Sequence, residues 1–171
     1  MAARHEPVRA GGGSGYRLGD LVVRRVTAAQ IRPLRHAVLR PNHPESSAVF
    51  PGDDEPTTAH LGAYRDGHLV GIASLYAEAR RGAPQAGGAW RLRGMATAPD
   101  VRGQGVGRAL VEACVRQVAE WGGGELWCNA RTPAVGFYEG AGFEVVSSEF
   151  DIPGVGPHVV MRRLVLPSAS G

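Results

Sequence analysis

Glycine at alternate positions in Arg102-Gly103-Gln104-Gly105-Val106-Gly107 constrains this chain more than any other feature. The turn separates a strand-like run near Trp90 to Ala98 from an amphipathic run, Val106 to Trp121. In the second run Val106, Leu110, Ala113, Cys114, Val118 and Trp121 share one helical face, while Arg108, Glu112, Arg116 and Glu120 alternate in sign on the other. A strand that turns through glycine into a helix leaves unpaired main-chain N–H groups at the positive helix end. An anion is stabilised there, and glycine lets a phosphate come close.

Several ligand classes use such a turn, and the residues separate them. A Walker loop needs GxxxxGK[ST], but all 19 basic residues here are arginine, so that reading is excluded. A dinucleotide fingerprint GxGxxG fails in both registers, because Arg108 or Leu110 stands where the third glycine belongs. The turn also follows four expected strands, whereas a dinucleotide site opens its fold near the first.

The remaining chain reads as a mixed α/β domain. Its 171 residues, 43% of them hydrophobic, suit one domain with a true core. Residues 1–15, with Gly11-Gly12-Gly13-Ser14-Gly15, read as a mobile tail, 16–166 as the domain and 167–171 as a second tail. Tyr16 to Val26 reads as a strand, and Thr27 caps a helix reaching about Arg40 that Pro33 should kink or interrupt. A proline-rich loop with acids at Asp53, Asp54 and Glu55 spans Pro41 to Pro56. Asp66-Gly67 joins strands His60 to Arg65 and His68 to Glu78 as a tight hairpin. After the amphipathic helix come a strand at Glu125 to Ala130, a helix opened by Thr132-Pro133 and closed by Gly142, and strands at Phe143 to Asp151 and His158 to Leu166.

Bulk properties exclude several classes. A formal charge of +3 with scattered arginines does not describe a nucleic-acid partner. No apolar run approaches membrane-spanning length and no signal-like stretch opens the chain, so a cytoplasmic protein without a membrane partner is expected. Cys114 and Cys128 form neither a CxxC pair nor a zinc half-site and read as buried thiols. His36, His43, His60 and His68 show no metal-ligand spacing, so no metal is expected.

Two stretches carry a family likeness. Leu92 to Leu110, containing Arg102, Gly105 and Gly107 in the pattern [RQ]xxGx[GA] after a strand that ends near Pro99, resembles the acetyl-CoA-binding motif of the GNAT N-acetyltransferases. Ala134-Val135-Gly136-Phe137-Tyr138-Glu139-Gly140-Ala141-Gly142-Phe143 resembles that family's AxxxYexxGF helix. The resemblance implies a GNAT fold: a mixed, mostly antiparallel central sheet, splayed where acyl-CoA binds and flanked by helices. It also implies acetyl-CoA as cosubstrate and an amine of a small molecule or peptide as acceptor, attacking the thioester directly.

On that resemblance the pantetheine arm runs beside Met95, Ala96 and Thr97, and main-chain N–H groups across Arg102, Gly103, Gln104, Gly105, Val106, Gly107 and Arg108 hold the pyrophosphate. Tyr138 aligns with the tyrosine that protonates the departing thiolate; its alternative is packing beside Phe137. Glu78 or a chain of waters is the base. Arg131 stands where many relatives carry asparagine, so Arg131 and Asn129 are candidate substrate contacts. His60, following the acidic loop as in one branch of these enzymes, is another. A non-catalytic acyl-CoA sensor is the rival reading. A monomer and a homodimer are both compatible with the family.

Overall fold

The computed structural model describes residues 6–10, 13–83 and 88–169. The chain divides into two compact units: the residues before Ala77 together with Gly94–Cys114, and Ala77–Arg93 together with the residues from Val115 onward.

In the first unit, β1 (Glu6–Ala10), β2 (Gly13–Leu18), β3 (Leu21–Val26), β4 (Ala59–Arg65) and β5 (His68–Ala77) follow one another as antiparallel neighbours. Part of the expected N-terminal tail is therefore strand, in register from Glu6↔Arg17 to Ala10↔Gly13. Main-chain pairing needs no apolar period, which is why the glycine-rich sequence does not announce it. Residues 1–5, 11, 12, 170 and 171 of the expected tails lie outside the described residues. Tyr16 to Val26 is not one strand, because Gly19 at φ +61° turns the chain between β2 and β3. Asp66 at φ 50° and Gly67 at φ 79° make the expected tight turn between β4 and β5.

Helix α1 (Ala28–Leu39) opens on a capping box: the Gln30 N–H donates to Thr27 Oγ1 at 3.2 Å and the Thr27 N–H to Gln30 Oε1 at 2.8 Å. Pro33 lies inside α1 without interrupting it. Ile31 packs with Ile72 and Ala96, and Val26, Leu34, Val38, Leu39 and Leu69 close around them. Helix α2 (Val106–Glu120) begins in this unit, hard against β5. A Cβ at Gly71 would stand 2.6 Å from Val106 Cγ1 and 2.9 Å from Leu110 Cδ1. That approach fixes where the helix start lies relative to the strand.

The loop between α1 and β4, including a 3-10 turn at Glu45–Ala48, is held from inside by a polar cluster. Arg35, 0% exposed, donates from Nη1 to Asp53 Oδ2 (2.7 Å) and the Ala48 carbonyl (2.9 Å), and from Nη2 to Ser74 Oγ (3.0 Å) and Tyr76 Oη (3.2 Å). Tyr76 Oη–H donates to Asp53 Oδ1 at 2.6 Å, and the Phe50 N–H to Oδ2 at 2.9 Å. His60 Nε2 lies 2.9 Å from the Asp53 carbonyl, which only accepts, so that nitrogen carries the proton. Nδ1, 2.7 Å from Ser74 Oγ, then accepts the hydroxyl proton while Oγ accepts from Arg35.

In the second unit the first residues of β6 (Ala89–Thr97) run parallel to β7 (Gly124–Arg131), paired from Ala89↔Glu125 to Arg91↔Trp127. β7 pairs antiparallel with β10 (Gly156–Val165), which carries β8 (Glu144–Val145) and β9 (Phe150–Ile152). Helix α3 (Val135–Gly140) follows a 3-10 turn at Thr132–Ala134. The run Phe143 to Asp151 is two short strands instead of one, because the Val160 N–H donates to Ser147 Oγ at 2.8 Å, a side chain standing where the ladder would continue. None of the described helices is long and apolar enough to cross a membrane.

Two stability outcomes follow from these contacts. Gly71→Ala is expected to lower the unfolding free energy by about 1–3 kcal/mol through overpacking against α2, measured by chemical denaturation. Burial holds His60 below its ordinary 6.5, so below that pH the unfolded chain binds a proton that folded His60 refuses, and stability falls. Burial raises Asp53, but hydrogen bonds from Arg35, Tyr76 and the Phe50 N–H outweigh it and leave the group below 3.8. A second loss is therefore expected as the pH drops past that value, where unfolded aspartate protonates first. Denaturation at a series of pH values should show both, and His60→Gln should remove the upper one alone.

Candidate functional site

The glycine turn lies open at the start of α2. Pro99–Val101 makes a 3-10 turn whose last N–H, that of Val101, donates to the Ala98 carbonyl at 3.1 Å. The chain then reverses through Gly103 at φ +77° and Gly105 at φ +83°, and a Cβ at either position would meet nothing within 4 Å. The glycines answer a backbone requirement, and the space beside them is empty of protein. The Ala109 N–H donates to the Gly105 carbonyl at 3.1 Å, the first bond of the helical ladder. The N–H groups of Val106, Gly107 and Arg108 precede that ladder and have no acceptor within it. Arg102, Gly103, Gln104, Gly105 and Arg108 are exposed, Gly107 is half-buried and the Val106 side chain is buried.

Of the three polar side chains in the turn, one is committed to the loop. Gln104 accepts at Oε1 from Arg65 Nη1 (2.6 Å) and donates from Nε2 to the Asp100 carbonyl (3.2 Å), while its N–H donates to the Val101 carbonyl at 3.2 Å. It is a brace. Arg65, ion-paired to Asp20 at 2.9 Å, brings to the turn a third arginine that no local pattern announces, since it lies 39 positions from Gln104. Arg108 lies 3.7 Å from Glu112, and Arg102 has no hydrogen bond or ion pair among the described residues.

Upstream, Ala96 is buried while Met95 and Thr97 are half-buried. The Ala98 N–H donates to the Val70 carbonyl at 2.8 Å, which ties down the strand's exit. Gly94 adopts φ +66°, a left-handed kink inside β6 directly before Met95. An isolated glycine in a strand pattern is the signal that could have found it.

His60 belongs to this first unit but is committed elsewhere. At 5% exposure, with both ring nitrogens bonded to Ser74 and to the Asp53 carbonyl, it has no nitrogen left for a substrate.

The second unit holds Tyr138, Glu78, Asn129 and Arg131. Tyr138 is 8% exposed in α3, with its ring edge-on to Phe137 at 5.1 Å and to Phe143 at 5.4 Å. Its side chain also reaches Cys128 by a hydrogen bond; burial pushes that thiol up to about 12, with Arg91 and Tyr138 pulling the other way. Cys114 and Cys128 are both buried and free. The Glu78 carboxylate lies 3.5 Å from Arg91 Nη1, and its carbonyl accepts from Trp127 Nε1 at 2.7 Å. Arg91 also stacks over Trp127, 5.1 Å from the ring centre. Asn129 is half-buried and Arg131 exposed at the C-terminal end of β7, and neither side chain has a hydrogen-bond partner among the described residues.

Comparison with known proteins agrees with this geometry. Residues 26–143 match the Acetyltransferase (GNAT) family. The chain is 34% identical over 148 residues to the uncharacterized N-acetyltransferase YitI of Bacillus subtilis, across 86% of this chain and 99% of that protein. Its fold is similar to that of an acyl-CoA N-acyltransferase from Pseudomonas aeruginosa, with TM-score 0.68 at 23% identity, covering 84% of this chain and 99% of the other. It is also similar to an aminoglycoside 6'-N-acetyltransferase complexed with coenzyme A, with TM-score 0.64 at 18% identity, covering 84% and 93%. The mostly antiparallel sheet, its flanking helices, the family match and the relative's identity together establish that the chain belongs to the GNAT acetyltransferase family.

Proposed function

We propose that the chain transfers an acetyl group from acetyl-CoA to an amine of a small molecule or peptide, and that residues 16–166 act as one acyltransferase domain. The observation that carries the donor assignment is the exposed turn at Arg102–Arg108. Three N–H groups there precede the helical ladder, and two left-handed glycines leave the approach open. A diphosphate fits such a cradle, and Arg102 and Arg108 can add charge-assisted bonds. Met95, Ala96 and Thr97 then receive the pantetheine arm as an added strand.

In the reaction the amine nitrogen forms a bond to the thioester carbonyl carbon, and the carbon–sulfur bond breaks. Developing negative charge on the carbonyl oxygen needs a main-chain donor, which we assign near Thr97. The departing thiolate takes a proton from Tyr138, and the new amide loses one from nitrogen. Glu78 is the carboxylate we assign as base, but Arg91 already holds it, so a water relay is its rival. Asn129 and Arg131 remain proposed acceptor contacts; His60 does not.

One observation favours a sensor that binds acyl-CoA without turning it over: the only carboxylate proposed as base is paired with an arginine. Tyr138→Phe separates the readings. In an enzyme it should lower kcat by about 100-fold while CoA affinity stays within about twofold, measured by thiol release and calorimetry. A wild-type protein that binds CoA yet releases no thiol with polyamines, aminoglycosides, amino acids or peptide N-termini would favour the sensor. Gly105→Val, forced into a left-handed conformation and projecting a side chain into the cradle, should lose about tenfold or more in CoA affinity under either reading.

A further inference from the structure

A side chain at Gly94 is disfavoured for two separate reasons. Its φ of +66° disfavours one, and a Cβ there would stand 3.3 Å from Phe50 Cε2, 3.4 Å from Arg35 Nε and 3.6 Å from Arg35 Nη2. The backbone of β6 therefore rests directly on a guanidinium and the ring stacked with it, Arg35 over Phe50 at 4.0 Å. That guanidinium cannot shift easily. Four of its five N–H groups are spent on Asp53, Ala48, Ser74 and Tyr76, and the fifth, on Nε beside Gly94, has no partner among the described residues. Two of the four anchors, Ala48 and Asp53, come from the loop after α1, and two from β5.

We infer that Arg35 is a positioning residue for the acyl-donor strand: its clamped guanidinium, with Phe50, sets the course of β6 at Gly94 and thereby aims the main-chain groups of Met95–Thr97. The inference rests on the acyl-CoA reading, since those three residues matter only if the pantetheine arm lies along them. The turn at Arg102–Arg108 is anchored by other contacts, namely Arg65, Asp100 and the packing of Gly71 on α2. Disturbing Arg35 should thus loosen one half of the cofactor and spare the other.

The test compares two ligands on three proteins. Calorimetric titration with CoA, and with ADP phosphorylated on its ribose as the half of CoA without the pantetheine arm, is run on wild type, Arg35→Lys and Gly94→Ala. Lysine keeps a cation against Asp53 but cannot present the planar fork. Each variant is expected to weaken CoA about tenfold, the order of one or two lost hydrogen bonds, and the nucleotide half by no more than about twofold. If Arg35→Lys fails to fold, Gly94→Ala decides alone, because it leaves the ion pair in place. Variants that weaken both ligands alike, or neither, overturn the positioning role while leaving the acyl-CoA reading intact. Wild type that binds neither ligand overturns both.

Discussion

Placing the Arg35 charge at zero exposure obliges the protein to build everything around it. An unpaired guanidinium in such a place would cost several kcal/mol, so acceptors must arrive from wherever the chain can supply them. They come from the Glu45–Ala48 turn, from Asp53, and from Ser74 and Tyr76 on β5, at separations of 13, 18, 39 and 41 positions. One buried cation thus joins a helix, a loop and a strand, and the proton directions through Ser74 and His60 follow from its donors. Such a cluster adds less to net stability than an apolar core of the same volume would. Its contribution is to admit only one arrangement of the segments it joins.

The same cluster changes what the acidic loop can mean for an acceptor. Asp53, Asp54 and Glu55 together suggest attraction for a cationic amine, but Asp53 is neutralised internally by Arg35. Asp54, with its side chain 85% exposed, lies 3.7 Å from Arg32. An exposed pair of that kind is screened and weak. The charge the loop shows to solvent is therefore smaller than its sequence suggests, by the buried Asp53 carboxylate.

What was legible in the sequence was local chemistry. The Thr27 cap, the Asp66-Gly67 turn and the glycines before α2 each need a residue type that few alternatives can replace, so pattern and structure coincide. The β2–β3 hairpin was not legible, because Gly19 interrupts a run whose apolar residues continue across the turn, and Ser147 broke an expected strand through a single side-chain bond. The Arg35 cluster escaped because charge reads as surface and its partners are remote. A signal did exist: Ala28, Ile31, Arg35 and Val38 fall at helical spacing, so Arg35 sits within the apolar stripe of α1, where a solvated arginine has no place.

Glycine holds three different offices along the path from β5 to α2, and each bears on the diphosphate cradle proposed for the first unit. Gly71 lets the helix start approach the strand, Gly94 lets the strand bend over a guanidinium, and Gly103 and Gly105 let the turn reverse. The first two are crowded by protein, whereas the last two face open space. The crowded pair serves packing, whereas Gly103 and Gly105, like the turn glycines Gly19 and Gly67, answer a backbone requirement in open space. Gly71 thus fixes the helix start from which the proposed diphosphate site is built, and Gly94 fixes the strand proposed to carry the pantetheine arm.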